Sequence, residues 1–166
     1  GRWQMCGLSG STGSVNPTGV DANTTFSTLT RGAGLSSSSV SDGFRSSSFS
    51  TSSLNTSNND YYEFTITPNS GYKISLSALK IRDQRSTNSS TFDVNLRFSH
   101  DGYASDVVAS WIPSTTLTNR TLDLSGVAAL QDRTTAITFR IYGSDSNNTS
   151  DTYGFFCQGT NSGNFR

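Results

Sequence analysis

The sequence predicts an all-β fold, specifically a jelly-roll-like antiparallel β-sandwich of about nine or ten strands. Apolar residues recur at every second position in several separate stretches, which is the period of a strand that buries one face. These stretches follow one another at intervals of roughly 8 to 15 residues and are separated by turn residues, as in sandwiches and barrels. No amphipathic helical pattern of about 10 residues appears, and residues 127–131 are expected to form at most one helical turn.

The most regular predicted strand is residues 92–98, where four apolar side chains alternate with polar ones. Residues 60–67 and 72–77 flank a Pro-Asn-Ser-Gly turn and are expected to pair as a hairpin. Phe44 and Phe49 lie inside the Ser-rich run 36–53, which predicts an ordered loop or an edge strand there. The predicted strands are residues 3–8, 25–29, 60–67, 72–77, 79–82, 92–98, 107–112, 121–124, 137–142 and 153–158.

Length and charge narrow the class of protein. A chain of 166 residues suits one sandwich domain spanning residues 1–166. The 12 basic and 12 acidic residues cancel, so no nucleic-acid partner is predicted. No apolar run approaches the roughly 20 residues of a transmembrane helix, so no membrane span is predicted either. The chain begins with Gly1, as expected for a mature or trimmed secreted product.

Cys6 and Cys157 lie near opposite ends of the chain and are predicted to form a disulfide that ties the terminal strands together. Terminal strands of a sandwich often lie side by side, and free thiols are unusual in a secreted-type chain rich in Ser, Thr and Asn. The alternative is two unrelated buried thiols. Two cysteines and the single histidine, His100, do not predict a metal site.

The sequence contains no recognisable catalytic constellation, and we predict that the protein is not an enzyme. Glycoside hydrolysis needs two carboxylates across a cleft, but Glu63 is the only glutamate and most aspartates have turn-like contexts. An acyl-transfer triad needs a histidine beside a nucleophile, and His100 stands alone in a tight turn. No cofactor is predicted, although the oxygen-rich loops 100–106 and 145–151 leave a structural calcium ion as an alternative to plain turn chemistry.

One set of residues is a candidate face for binding a glycan or a protein partner, because planar donors and aromatic rings are the groups that bind sugars. The alternative is that the strand residues of this set form an ordinary solvated face and that its tryptophan belongs to the core. The strand residues share a face only if their strands are neighbours. The set comprises Asn95, Arg97, Trp111, Arg140 and Tyr142.

Six asparagines stand in Asn-x-Ser/Thr acceptors and are candidates for N-glycosylation. This number is only slightly above the chance expectation for a chain so rich in Ser and Thr. All six fall in polar or turn-like segments, as surface glycans require. They are Asn23, Asn55, Asn88, Asn119, Asn147 and Asn148.

Five stretches in a fixed order resemble a family of bacterial secreted modules found in large cell-surface proteins that carry sorting signals. They are residues 29–35 (LTRGAGL), 59–72 (NDYYEFTITPNSGY), 85–87 (RST), 99–103 (SHDGY) and 138–143 (TFRIYG). The resemblance spans roughly residues 20 to 145. It implies a jelly-roll-like sandwich on an exported protein and supplies neither an activity nor a set of catalytic residues. The cysteine pair is not part of the family pattern.

Two functions from different classes remain after this reading. The first is a non-enzymatic extracellular structural protein, a self-associating and glycosylated subunit of a cell-surface layer or filament, whose partners are copies of itself. Open sandwich edges and the end segments 1–10 and 160–166 are the candidate contacts, through strand addition. The alternative is a carbohydrate-binding module or lectin-like adhesion domain whose partner is a polysaccharide. Both place the protein outside the cell or on its surface.

Overall fold

The computed structural model of the chain describes residues 1–86 and 91–157 and confirms the predicted class, with antiparallel β-sheets packed together. The described part contains twelve strands rather than nine or ten, because the prediction did not resolve several strands of only two or three residues. The strands are β1 (Arg2–Trp3), β2 (Pro17–Thr18), β3 (Thr24–Phe26), β4 (Thr30–Arg31), β5 (Ser36–Ser37), β6 (Gly43–Ser47), β7 (Tyr61–Pro68), β8 (Ala78–Arg85), β9 (Asp93–Phe98), β10 (Thr118–Asp123), β11 (Ile137–Ser144) and β12 (Tyr153–Phe156).

The strands form two large sheets. Sheet I has the order β10-β8-β12-β6-β5, and sheet II has the order β3-β7-β11-β9, with β4 also beside β7. Residues 107–111 extend sheet II beyond β9, since the amide of Val107 donates to the carbonyl of Leu96 at 2.8 Å and Trp111 forms a bridge with Val94. Counted from β6 with this segment as the fifth strand, the sheets run 1-8-3-6 and 2-7-4-5, which is the order of a jelly roll.

Aromatic rings fill much of the space between the sheets. Tyr62 on β7 contacts Phe44 on β6 and Phe155 on β12, with ring centroids 5.7 and 4.8 Å apart. Side chains alternate between the two faces of a strand. In β7, β9 and β11 every second residue is apolar, and these apolar side chains point into the layer between the sheets. Full burial of each ring stabilises the fold by about 1.5 to 3 kcal/mol.

The predicted hairpin between residues 60–67 and 72–77 is wrong. The first segment is β7 of sheet II, but residues 69–77 cross to sheet I instead of turning back beside it. Ile74 pairs with Arg133, and Tyr72, expected to point inward, is half exposed. The Pro-Asn-Ser-Gly turn exists, but after it the amides of Ile74 and Leu76 donate to the carbonyls of Arg133 and Leu130 rather than to β7.

Other predicted strands differ mainly in length. The strand predicted over residues 3–8 ends at Trp3, and residues 107–112 form no regular strand but pair with β9 through Val107 and Trp111. The predicted helical turn is a 3₁₀ helix at Ala128–Leu130. The Ser-rich run contains β5 and β6, and both of its phenylalanines, Phe44 and Phe49, are buried. Gln158, at the end of the strand predicted over 153–158, and the segment 160–166 lie outside the described residues.

The predicted disulfide between Cys6 and Cys157 is confirmed, with the two Cα atoms 4.6 Å apart. Cys157 directly follows β12, and its amide donates to the carbonyl of Asp42, the residue before β6. The bond therefore fixes the segment after β1 to the end of β12, the central strand of sheet I, beside the start of β6. Among the described residues, no helix has the length and apolar character needed to cross a membrane.

Candidate functional site

Four of the five predicted face residues do come together, on the outer surface of sheet II. Strands β9 and β11 are neighbours, with Arg140 opposite Arg97 and Tyr142 opposite Asn95. Alternation places all four on the side away from the core. We call these four residues the sheet II cluster.

The sheet II cluster is largely covered, which the sequence did not predict. Tyr142 is 0% exposed and Asn95 only 6%. The loop after β9 folds back over the cluster, and its Asp106 carboxylate accepts hydrogen bonds from Asn95 Nδ2 at 2.9 Å and Arg97 Nε at 2.7 Å. Arg97 also donates to the carbonyl of Tyr103 at 3.0 Å. The donors that were candidates for a sugar therefore already have partners within the chain.

Arg140 occupies the centre of this surface. Its guanidinium lies 4.1 Å from the ring centres of both Tyr61 and Tyr103 and donates to Glu63 at 2.7 Å and to the Tyr142 hydroxyl at 3.3 Å. Burial alone would lower the pKa of Arg140, but its hydrogen bonds to Tyr142 and Glu63 outweigh burial and raise it. Burial also raises the pKa of Tyr61 and of Tyr103. The Arg140 guanidinium therefore lies between two aromatic rings and is held by contacts within the protein.

Trp111 does not belong to this cluster. It is paired with Val94, whose side chain is buried in the core, and its indole Nε1 donates to Asp83 Oδ2 of sheet I at 2.9 Å. Trp111 is partly buried and packs against the core, which agrees with the alternative that assigned it to the core rather than to a binding face. Its place at the open side of β9 depends on a long-range contact, so strand periodicity could not reveal it.

The two residues considered for catalysis lie in different surroundings. Glu63 forms an ion pair with Arg140 in which both side chains are partly exposed. His100 is exposed and stacks on Phe98, with ring centroids 5.7 Å apart. In residues 1–86 and 91–157, His100 has neither an ion pair nor a side-chain hydrogen bond.

In each of the oxygen-rich loops considered for calcium, one carboxylate is used in a turn. Asp101 accepts the amides of Ala104 at 3.2 Å and Ser105 at 2.9 Å. Asp151 accepts the amide of Asn148 and the hydroxyl of Ser146. No group of three or more His, Cys, Asp or Glu residues suited to a metal ion occurs in the described ranges.

Five of the six glycosylation candidates are exposed. Asn23 precedes β3, Asn55 precedes a 3₁₀ helix, and Asn119 lies on β10 with its side chain on the outer face of sheet I. Asn147 and Asn148 occupy the loop between β11 and β12. The sixth candidate, Asn88, lies outside the described residues.

The outer face of sheet I carries a second surface that the sequence reasoning missed. A shallow pocket of about 200 Å³ opens there, lined by Arg45, Gln84, Arg85, Ser86, Thr152 and Phe156 among others. The signal was present in β8, where alternation puts Lys80, Arg82 and Gln84 on one face, but Arg45 lies in the Ser-rich run and Phe156 near the other end of the chain.

Comparison of the chain with protein-family models, with characterised proteins and with solved structures found no match. The resemblance to the bacterial secreted modules therefore stays a prediction.

Proposed function

We propose that the protein is a non-enzymatic extracellular structural protein whose copies associate by strand addition as subunits of a cell-surface layer or filament. The observation that carries this proposal is the free edge of β10. Strand β10 pairs only with β8, and its other side has no backbone partner within residues 1–86 and 91–157. Exposed strand edges of this kind are templates for pairing with another chain.

The hydrogen-bond pattern identifies which groups point away from the protein. The amide of Leu124 donates to the carbonyl of Ser77, the residue opposite it, at 2.9 Å. In an antiparallel pair such positions alternate with positions whose amide and carbonyl face outward. The backbone groups of Asn119, Thr121 and Asp123 therefore face the free edge.

Two exposed apolar side chains lie beside this edge. Ile112 is 58% exposed and Leu117, directly before β10, is 42% exposed. Arg120 on β10 donates to the carbonyl of Ile112, which places the two segments side by side. Exposed large apolar residues next to an open strand favour contact with a second protein surface.

The arrangement of copies follows from the two edges of sheet I. Pairing of β10 with β10 about a two-fold axis forms a closed dimer, whereas pairing of β10 with the opposite edge strand, β5, forms an open polymer. A layer or filament needs the second arrangement, which we propose. It continues sheet I from one copy into the next.

The extracellular placement is supported by the Cys6–Cys157 disulfide, since such bonds persist in oxidising compartments. The five exposed sequons are compatible with a glycosylated exterior. We include N-glycosylation in the proposal, and a native mass above 17.8 kDa that falls on deglycosylation is its test. An unmodified native mass contradicts this part alone.

A proline at position 121 tests the assembly directly. Thr121→Pro removes an amide that faces the free edge and leaves the ladder to β8 intact, because proline is tolerated where the missing amide faces solvent. Thr121→Val, which keeps the amide, is the matched control. We expect polymers of wild type and Thr121→Val by electron microscopy and sedimentation, and monomers of Thr121→Pro. A monomeric wild type contradicts self-association, and a closed dimer contradicts the layer or filament.

A carbohydrate-binding module is the second candidate function. The sheet II cluster gives it little support, because its donors already bond within the chain. The pocket on the outer face of sheet I favours it instead.

A further inference from the structure

We infer that the outer face of sheet I holds a binding site for an acidic saccharide, one unit of a uronic-acid-containing polysaccharide, and that this site acts independently of strand addition at β10. The inference starts from a row of residues across three neighbouring strands. Arg45 on β6 and Gln84 on β8 both stand opposite Gly154 on β12. A Cβ at Gly154 would lie only 2.9 Å from the Cβ of Arg45, so glycine at this position lets β6 and β12 lie close together, and Arg45 and Gln84 both line the pocket.

Basic side chains predominate on this face. Arg45, Lys80 and Arg82 point outward, Arg85 at the end of β8 lines the pocket, and Asp123 on β10 is the one acidic side chain that alternation places there among the strands of sheet I. None of the four cations forms an ion pair with a described residue. The residues outside the described ranges contain no Asp or Glu. In contrast, Arg97 and Arg140 on the outer face of sheet II are both paired with carboxylates. The net charge of zero therefore hides an uneven distribution, and the unpaired cations attract an anion to sheet I.

The polar groups of the pocket retain bonding capacity. Arg45 donates through Nε to Ser38 and through Nη2 to Ser39, and Arg85 donates through Nε to Pro113 and through Nη1 to Ser86. One terminal nitrogen of each guanidinium thus has no partner among the described residues. Because both arginines line the pocket, each free nitrogen can donate a charge-assisted hydrogen bond to a carboxylate bound there.

The remaining lining matches the other parts of a sugar. Gln84 donates through Nε2 to the carbonyl of Thr115, and its Oε1 has no partner in the described part of the chain, so it can accept from a sugar hydroxyl. Thr152 adds a hydroxyl, the Ser86 hydroxyl already donates to Asp151 at 3.4 Å, and Phe156, only 7% exposed, adds a small apolar area to the lining. A volume of about 200 Å³ is below the roughly 300 Å³ at which pockets enclose whole ligands, so the pocket fits one unit of a chain that continues across the surface.

A saccharide fits these observations better than a nucleic acid. Phe156 is almost fully buried, so its ring cannot serve as a platform for a stacked base. Four cations are also fewer than the roughly 6 to 10 phosphate contacts that give tight nucleic-acid binding. A carboxylate on a hydroxylated ring matches the free guanidinium nitrogens of Arg45 and Arg85 and the free Oε1 of Gln84.

The test measures binding to soluble polygalacturonate, with dextran as the neutral comparison and polyphosphate as the plain polyanion. The Thr121→Pro variant serves as the background, since polymers would bind with enhanced avidity and confuse site affinity with assembly. We expect retention by polygalacturonate but not by dextran, weaker binding as salt is added, and about a tenfold or greater loss of affinity in Arg45→Gln.

Arg2→Gln, which removes an exposed arginine of β1 outside the pocket, is the matched control and should bind as its background does. Arg85→Gln gives a second variant in case Arg45→Gln disturbs the β5 region, and thermal melting verifies that each variant is folded. Equal binding of dextran, equal binding of polyphosphate, or unchanged affinity in both folded pocket variants would each overturn the inference. None of these results bears on whether β10 mediates assembly.

Discussion

The indole Nε1 of Trp111 donates to the Asp83 carboxylate at 2.9 Å, and this hydrogen bond links the two sheets at one end of the sandwich. Asp83 lies on β8 of sheet I and is 0% exposed. It also accepts from Arg120 Nε on β10 and from the Tyr153 hydroxyl on β12. One buried carboxylate therefore connects three strands of sheet I to the segment that extends sheet II.

Replacing Asp83 tests how much this buried network contributes to stability. Asp83→Asn keeps the shape but removes the charge that pairs with Arg120 and leaves one acceptor fewer for three donors. We expect the free energy of unfolding to fall by about 3 kcal/mol, as for other buried pairs that lose one partner. Guanidinium unfolding measures the change. Asp123→Asn, on the exposed face of β10, should change it by no more than about 0.5 kcal/mol, and equal effects of the two substitutions would contradict this account.

Two buried tyrosine hydroxyls predict a loss of stability at alkaline pH. Tyr62 donates to the carbonyl of Tyr153 at 2.7 Å, and Tyr153 donates to Asp83 at 3.2 Å. Burial raises the pKa of Tyr62, and burial together with the Asp83 charge raises the pKa of Tyr153 well above its ordinary value. Above about pH 10 the unfolded chain releases these protons while the folded chain retains them, so stability falls as pH rises.

The expected slope is about 1.4 kcal/mol per pH unit for each tyrosine above about pH 10, or roughly twice that for both. Guanidinium unfolding at a series of pH values between about 8 and 11 measures it. In Tyr62→Phe the slope should be shallower by about 1.4 kcal/mol per pH unit, because one of the contributing protons is absent. The same slope in the variant as in wild type would show that Tyr62 is not responsible.

The sequence predicts a strand when the pattern lies within the strand itself, but it does not predict which distant segment the strand pairs with. Strands β7, β9 and β11 follow from alternation alone, because each buries one face. The predicted hairpin after β7 failed since alternation in residues 72–77 reports burial but not which partner provides it; Ile74 pairs with Arg133, almost 60 positions away. The disulfide was predictable because Cys6 and Cys157 are the only two cysteines.

The candidate sites show the same limit. Alternation correctly predicted that Arg97 and Arg140 each face outward, and the pairing of β9 with β11 brings them together. It could not show that the loop bearing Asp106 returns to cover them, because a covering loop carries no periodic pattern. The sheet I pocket draws Arg45, Gln84 and Phe156 from three distant segments, so only strand order brings them together.

The disulfide should contribute strongly to stability, because it joins residues 151 positions apart. In the chain-entropy model, closing a loop of this length restricts the unfolded chain enough to stabilise the fold by about 4 to 5 kcal/mol. We expect the double variant Cys6→Ser, Cys157→Ser to lose that amount in urea unfolding. Reduced wild type should match the double variant; a loss below about 1 kcal/mol in both would indicate a bond that adds little.

Arg140 distinguishes a structural contact from a ligand site on the outer face of sheet II. Arg140→Lys keeps the charge but loses the planar group that lies between Tyr61 and Tyr103 and bonds Glu63. We expect a loss of about 1 kcal/mol in unfolding free energy, modest because the ion pair is partly exposed. A double-mutant cycle with Glu63→Gln should give a coupling of about 0.5 to 1 kcal/mol.

Binding of Arg140→Lys to polygalacturonate should equal that of wild type. If the substitution instead abolished binding and left stability unchanged, the ligand would have to displace Tyr103 and its loop from Arg140, and sheet II rather than sheet I would be the binding face.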